Sequence, residues 1–144
     1  MEVTMPADNK AVARLLIDIF NRGTLNDADA VLASNYTYRG PGGELHGVAG
    51  WKQLAQMYRT AFPDVIMTVD EQIAEGDKVV TRFTARGTHR APLAGVAASG
   101  RFVTVPCMSI DRIVGGQIVE TFELFDQLGM FQSIGTLPAL SASA

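Results

Sequence analysis

Two carboxylates, Glu120 and Glu123, stand among apolar neighbours in the stretch Val119-Glu120-Thr121-Phe122-Glu123-Leu124-Phe125. A carboxylate held partly out of water has its pKa raised toward neutrality, which makes it both a usable proton acceptor and a usable donor. Glu123 is the candidate for that work. Tyr38 carries a phenol that can donate to a developing oxyanion, the role a tyrosine plays in ketosteroid isomerase; the same side chain can also fill a core with its hydroxyl at the surface. His89 ends one strand and opens a loop, where a neutral imidazole can shuttle a proton, hydrogen-bond a ligand, or tie the loop to the sheet. Cys107 and Ser109 would line the same face, and small side chains there more often make room than do chemistry. No base is evident beside Cys107 to activate its thiol.

These residues need elements to hold them. Arg101–Gly135 reads as two long strands joined at Gly115-Gly116, followed by a short helix that Asp126 can cap. Two registers are open. A two-residue primed turn sets Val114 opposite Gln117 and puts Ser109 on a face with Glu120 and Phe122. A three-residue turn with a bulge glycine sets Ile113 opposite Gln117. Then Val105, Cys107, Ser109 and Asp111 share a face with Val119, Thr121, Glu123 and Phe125. The second is preferred, because Phe102, Met108, Ile110, Ile118, Phe122 and Leu124 then collect into one apolar surface on the other face. Glu120 would point to that outer face and pair with Arg82 or Arg86.

The N-terminal half is helical. Asp8 can cap a helix with Val12, Leu15, Leu16, Ile19 and Phe20 at helical spacing and Gly23 past its end. Asn26 can cap a short second helix that places Ala28, Val31 and Leu32 inward. Tyr36-Thr37-Tyr38 begins a short strand, which Gly40-Pro41-Gly42-Gly43 is expected to cut off. A third helix from Val48 to Phe62 buries Trp51, Leu54, Ala55 and Tyr58 and stops at Pro63. Trp51 and Tyr58 lie on one face of it, where they can roof a pocket. Val65, Met67, Val69 and Ile73, then Val79, Thr81, Phe83 and Ala85, alternate as an antiparallel hairpin about Glu75-Gly76-Asp77. Residues 90–100, RAPLAGVAASG, read as a mildly apolar mobile loop, and the tail after Gly135 is expected to fray.

Composition narrows the classes. A chain of 144 residues is one domain by size, spanning 1–144. Its net charge of −3, with cations scattered singly, argues against a nucleic-acid partner. One cysteine, no secretory leader and no 18-residue apolar run suggest a reducing cytoplasmic compartment and no membrane partner. Two histidines and no ligand-spaced cluster argue against a metal. Three helices followed by long antiparallel strands make an α+β arrangement, with the helices closing a curved antiparallel sheet into a cone that suits a small apolar molecule. An apolar content of 47% leaves surface to spare for that pocket or for a subunit interface.

GTHRAPLAGVAASGRFVTV followed by IDRIVGGQIVETFELFDQLGMFQSIG resembles the SnoaL-like polyketide cyclases of the nuclear-transport-factor-2-like (NTF2-like) superfold, and the Ala-Phe-Pro-Asp junction at 61–64 fits as well. The resemblance implies a homodimer joined through the outer sheet face. It also implies a ring closure by intramolecular aldol chemistry, without a cofactor, on a polyketide-like or other small apolar carbonyl compound. By position it lays the family's catalytic Asp on Glu123, a companion His on Ser109 and a pocket Asn on Tyr38. The expected site is therefore Glu123 as acid and base, Tyr38 and His89 at the oxyanion, and Trp51, Tyr58, Val105, Cys107, Ser109 and Phe125 around the substrate. The superfold also hosts other isomerases and lyases, proteins that only bind, and epoxide hydrolases, whose Asp-Arg-Asp constellation has no obvious counterpart here.

Overall fold

The computed structural model describes residues 8–136. Helix α1 spans Asn9–Arg22; the Asp8 carboxylate accepts from the Lys10 N–H at 2.7 Å, and Gly23 ends the helix with φ at 74°. Its buried stripe is Val12, Leu16, Ile19 and Phe20, the period expected of a helix lying on a core. A 3-10 turn at Leu25–Asp27 leads into the single-turn helix α2, Ala28–Val31. The expected cap Asn26 falls inside that turn, where its carbonyl accepts from Lys52, and Asp27 occupies the N-cap position.

Leu32, expected to finish the second helix, instead begins strand β1, Leu32–Gly40. The Gly40–Gly43 segment does not end the ladder. It closes a hairpin to β2, Gly43–His46, with Gly40 and Gly43 as the last pair. Proline at the second position presets φ for such a turn, and the glycines around it carry no side chain to obstruct it. Helix α3 then spans Gly47–Ala61, and strands β3 (Ile66–Glu75), β4 (Lys78–Thr88), β5 (Phe102–Val114) and β6 (Gln117–Phe125) precede the short α4, Gln127–Ser133. Asp126 caps α4 by accepting from the Gly129 N–H at 2.9 Å. The frayed tail expected after Gly135 lies, Thr136 apart, outside the described residues.

The six strands form one sheet in the order β2-β1-β6-β5-β4-β3. It is mixed rather than wholly antiparallel, because β1 runs parallel to β6. No hairpin joins those two strands, so nothing local imposes an antiparallel sense on them. Among the described residues, four helices and a six-stranded sheet make the α+β class, with α1 and α3 over one sheet face and only one turn of helix where a second N-terminal helix was expected.

The preferred three-residue turn with Ile113 opposite Gln117 does not form in the β5–β6 hairpin, although the inner-face set it implied is recovered beyond a bulge. Gly115 and Gly116 form a two-residue turn, both with positive φ, and Val114 faces Gln117. Ile113 faces Ile118, and then the ladder slips: Arg112 pairs with Glu120, leaving Val119 as the extra residue of a bulge. Beyond it Asp111 faces Thr121 and Ser109 faces Glu123. Ile118, expected outside, is wholly buried on the inner face, while Phe102, Met108, Ile110, Phe122 and Leu124 are exposed on the outer one. A second slip, after Val69 in β3, turns Gln72 inward to donate to the Lys10 carbonyl and leaves Ile73 exposed rather than alternating inward with Val69.

The junction after α3 fastens the helical layer to the sheet. Asp64 accepts from the Thr88 N–H at 2.7 Å and its hydroxyl at 2.8 Å, bonds that hold the carboxyl below its ordinary pKa. Gly87 lies against the same junction: a β-carbon there would come within 3.1 Å of Phe62 Cβ and 3.2 Å of Val65 Cα. One of those contacts is backbone, so it cannot swing aside. Gly87→Ala is accordingly expected to destabilise the fold by about 1–3 kcal/mol, read as a lower urea midpoint with an unchanged slope.

Candidate active site

Between the helices and the inner sheet face lies a cavity of about 130 Å³ lined by side chains of α1, α3 and five of the six strands. Most of its wall is apolar: Leu16, Phe20, Trp51, Leu54, Phe83, Val103, Val105 and Phe125. Three tyrosines, Tyr36, Tyr38 and Tyr58, and two carboxyls, Asp111 and Glu123, interrupt it. Tyr38 of β1 donates to Glu123 Oε1 of β6 at 2.7 Å. Thr121 Oγ1 donates to Asp111 Oδ1 at 2.5 Å, joining β6 to β5 one step along the same face. The parallel pairing makes the first contact possible, because Tyr38 sits beside Thr121 and leans forward to the next inward residue of β6.

Burial sets the protonation chemistry. Glu123 is raised above its ordinary range because its carboxylate has lost water, and the Tyr38 hydrogen bond opposes part of that shift. Asp111 is pushed up to about 7, chiefly by burial and further by the charge of Glu123, with the Thr121 bond opposing. Burial and then the neighbouring Glu123 charge hold the Tyr38 phenol protonated, and the same two causes push the Cys107 thiol up to about 12. A thiol so placed is no nucleophile at neutral pH.

Of the residues singled out from the sequence, Glu123, Tyr38, Trp51, Tyr58, Val105, Cys107, Ser109 and Phe125 all line this one cavity. His89 does not. It is buried with its Nδ1 2.9 Å from Ser99 Oγ and 3.1 Å from the Ser99 N–H, and its ring packs on Phe62. That bond ties the two ends of the 90–100 loop together, where Leu93 is buried and pairs with Val96 across a tight turn. Glu120 points outward, as expected, but its partner is Arg39 at 3.4 Å; Arg82 pairs with Asp70 and Glu71. The pairing of β1 with β6 brings Arg39 there, and that pairing leaves no local trace in the sequence.

Among the polar cavity residues, Asp111, Tyr36 and Thr121 are ones that sequence reasoning did not single out. Their signal was available in part, since Asp111 falls on the face of Ser109 and Tyr36 on that of Tyr38. What was missing was the neighbour that makes each one buried.

A helix-covered mixed sheet enclosing an apolar cavity with a few convergent polar groups is an α+β architecture suited to holding a small molecule. More narrowly, the model of the SnoaL-like polyketide cyclase family matches residues 10–134, and the chain belongs to that family, of NTF2-like fold. Among solved structures, AclR of Streptomyces galilaeus, described as a candidate hydroxylase, is similar at 25% identity and a TM-score of 0.84, covering 97% of this chain and 92% of that one. IdmH of Streptomyces antibioticus, described as a candidate polyketide cyclase, is similar at 29% identity and a TM-score of 0.79, covering 90% and 99%. A SnoaL-like protein of Jannaschia shares the fold at 20% identity and a TM-score of 0.84, covering 96% and 99%. No curated protein sequence matches the chain significantly. No helix among the described residues is long and apolar enough to cross a membrane.

The raised Asp111 pKa has a stability consequence with a definite sign. A carboxyl that titrates near 3.8 unfolded and near 7 folded contributes stability that is present below the lower value and lost as pH rises through the upper one. The melting temperature should therefore fall between those values, and Asp111→Asn should make the fall shallower. Thermal melts of both proteins across that pH range check it.

Proposed function

We propose that this chain is a cofactor-independent enzyme of the cyclase or isomerase type, acting by proton transfer next to a carbonyl of a small apolar compound. The observation that carries the reading is the 2.7 Å hydrogen bond from Tyr38 to Glu123 inside an apolar cavity. Family membership supports it, as does the similarity to a described candidate polyketide cyclase over nine-tenths of the chain.

The two side chains divide the work. In the resting site the Tyr38 proton stabilises the ionised form of Glu123, which keeps the base ready despite its burial. A substrate carbonyl seated beside them presents its α-hydrogen to the carboxylate. Once Glu123 takes that proton its pull on the phenol weakens, and the Tyr38 O–H is freed to donate to the enolate oxygen formed in the same step. The enolate carbon then attacks a second carbonyl of the same molecule, and the new alkoxide takes the proton back from Glu123. Base and proton are both restored, so the cycle needs no co-reactant. Trp51, Tyr58, Val105, Cys107, Ser109 and Phe125 shape the space in which the chain folds back on itself.

The 90–100 loop closes the entrance. A second hollow shares Tyr38, Leu54, Tyr58 and Phe125 with the cavity and is bordered by Leu93 and Ala94 of the loop. His89, bonded to Ser99, is in this reading a positioning residue for that loop rather than a participant in proton transfer. Of the other enzyme chemistries on this superfold, epoxide hydrolysis wants an arginine between two acids. Asp111 and Glu123 are two cavity acids, but the residue adjoining both is Ser109.

The outer face has its own role in the proposal. Phe102, Met108, Ile110, Phe122 and Leu124 form an apolar surface across β5 and β6, each 39–62% exposed, of the kind that marks a subunit interface. We infer a homodimer through it. Phe122→Lys with Leu124→Lys should yield a monomer in sedimentation velocity where the unaltered chain sediments as a dimer.

The reaction is tested by incubating small diketones of polyketide type with the protein in deuterated water and following α-hydrogen exchange by NMR. The expected result is accelerated exchange that Glu123→Gln lowers by about 10²–10⁴-fold while binding persists. Exchange that is unchanged in Glu123→Gln would remove the base and leave a protein that only binds.

A further inference from the structure

The inner sheet face repeats one arrangement twice. Tyr38 leans along β1 to reach Glu123, and Tyr36, two residues earlier, leans likewise toward Thr121, which is bonded to Asp111. Each level thus holds one phenol and one carboxyl, and the two are offset by two residues of a strand, about 6.6 Å. The outer level is the Tyr38–Glu123 pair, beside the hollow that Tyr58 and Phe125 share with the loop. The inner level is more completely enclosed, with Tyr36 1% and Asp111 4% exposed.

The outer level is internally satisfied and the inner one is not. The Tyr36 hydroxyl is buried, lines the cavity and has no hydrogen-bond partner of acceptable geometry. Thr121, toward which the phenol leans, gives its own proton to Asp111 and does not accept from Tyr36 within hydrogen-bond geometry. A buried hydroxyl left without a partner costs free energy, so its retention on a cavity wall calls for an acceptor that arrives with a ligand.

We propose that Tyr36, Thr121 and Asp111 form a second polar subsite at the inner end of the cavity, which takes a neutral oxygen function of the ligand remote from the carbonyl that meets Glu123. The oxygen is a hydroxyl or a carbonyl. An anionic group is disfavoured, because the subsite adds a second acid to the one at Glu123 and brings no cation; Arg86 borders the cavity from β4 but is itself exposed. The subsite therefore selects molecules oxygenated at two separated positions over those oxygenated at one. It deepens the proposed function, resting on the same cavity, but it is a statement about binding and does not require proton transfer at Glu123.

The test uses acetophenone and 4-hydroxyacetophenone, identical except for a hydroxyl at the far end of the ring, in mildly acidic buffer where both are neutral. Binding is read from the indole N–H shift of Trp51, the single tryptophan and a cavity residue. The expected result is about tenfold tighter binding of the hydroxylated probe, one hydrogen bond's worth. Tyr36→Phe should abolish that preference and leave the affinity for acetophenone unchanged. It should also melt no lower than the unaltered protein, because the hydroxyl it removes has no partner in the free state. Equal affinities for the two probes, a preference that survives Tyr36→Phe, or a clearly lower melting temperature for that variant would each overturn the subsite. A preference without α-hydrogen exchange removes the proposed reaction alone, and exchange without a preference removes the subsite alone.

Discussion

A β-strand presents alternate side chains to opposite faces, so a single extra residue reverses every position beyond it. In β6 that residue is Val119. Before it, Ile118 faces the core; after it, Thr121, Glu123 and Phe125 face the cavity, while Phe122 and Leu124 face out. Without the slip the inward set would be Glu120, Phe122 and Leu124, and Glu123 would point away from Tyr38. The Tyr38–Glu123 hydrogen bond, the cavity wall and the apolar outer surface all depend on this one departure from the regular ladder.

How legible the molecule was follows from the same feature. Two local signals in the sequence conflicted: a Gly-Gly dipeptide fit for a two-residue turn, and an apolar pattern that wanted the other register. Both were correct, and only a bulge away from the turn satisfies them together. Helices α1 and α3, the β3–β4 hairpin and the Asp126 cap were readable because periodicity and capping are local. The parallel contact of β1 with β6 was not, since the paired strands lie some eighty residues apart and their pairing carries no turn of its own. From that one contact come the partners of Tyr38 and Glu120. The hairpin at Pro41 was missed for a different reason: glycine and proline mark both the end of a ladder and the turn that continues it.

The cavity also shows why residue type alone understates a site. Ser109, Cys107 and Asp111 share one face, yet burial holds the thiol protonated and raises the aspartate to about 7. Two carboxyls in one low-dielectric space cannot both ionise cheaply, so the one that receives the better hydrogen bond to its charged form becomes the base and the other keeps its proton. The phenol of Tyr38 and the hydroxyl of Thr121 are the groups that arbitrate. Their placement on neighbouring strands, rather than on loops, gives the arrangement the rigidity that acid–base work needs.

The central claim is that Tyr38 tunes Glu123 as a partly buried base. The most direct measurement is a carbon-13 NMR titration of the Glu123 carboxyl in the unaltered protein and in Tyr38→Phe. The account predicts a midpoint well above that of an exposed glutamate, moving higher still in the variant as the charged form loses its donor. A midpoint in the ordinary carboxylate range, or one that does not respond to loss of the phenol, would contradict it.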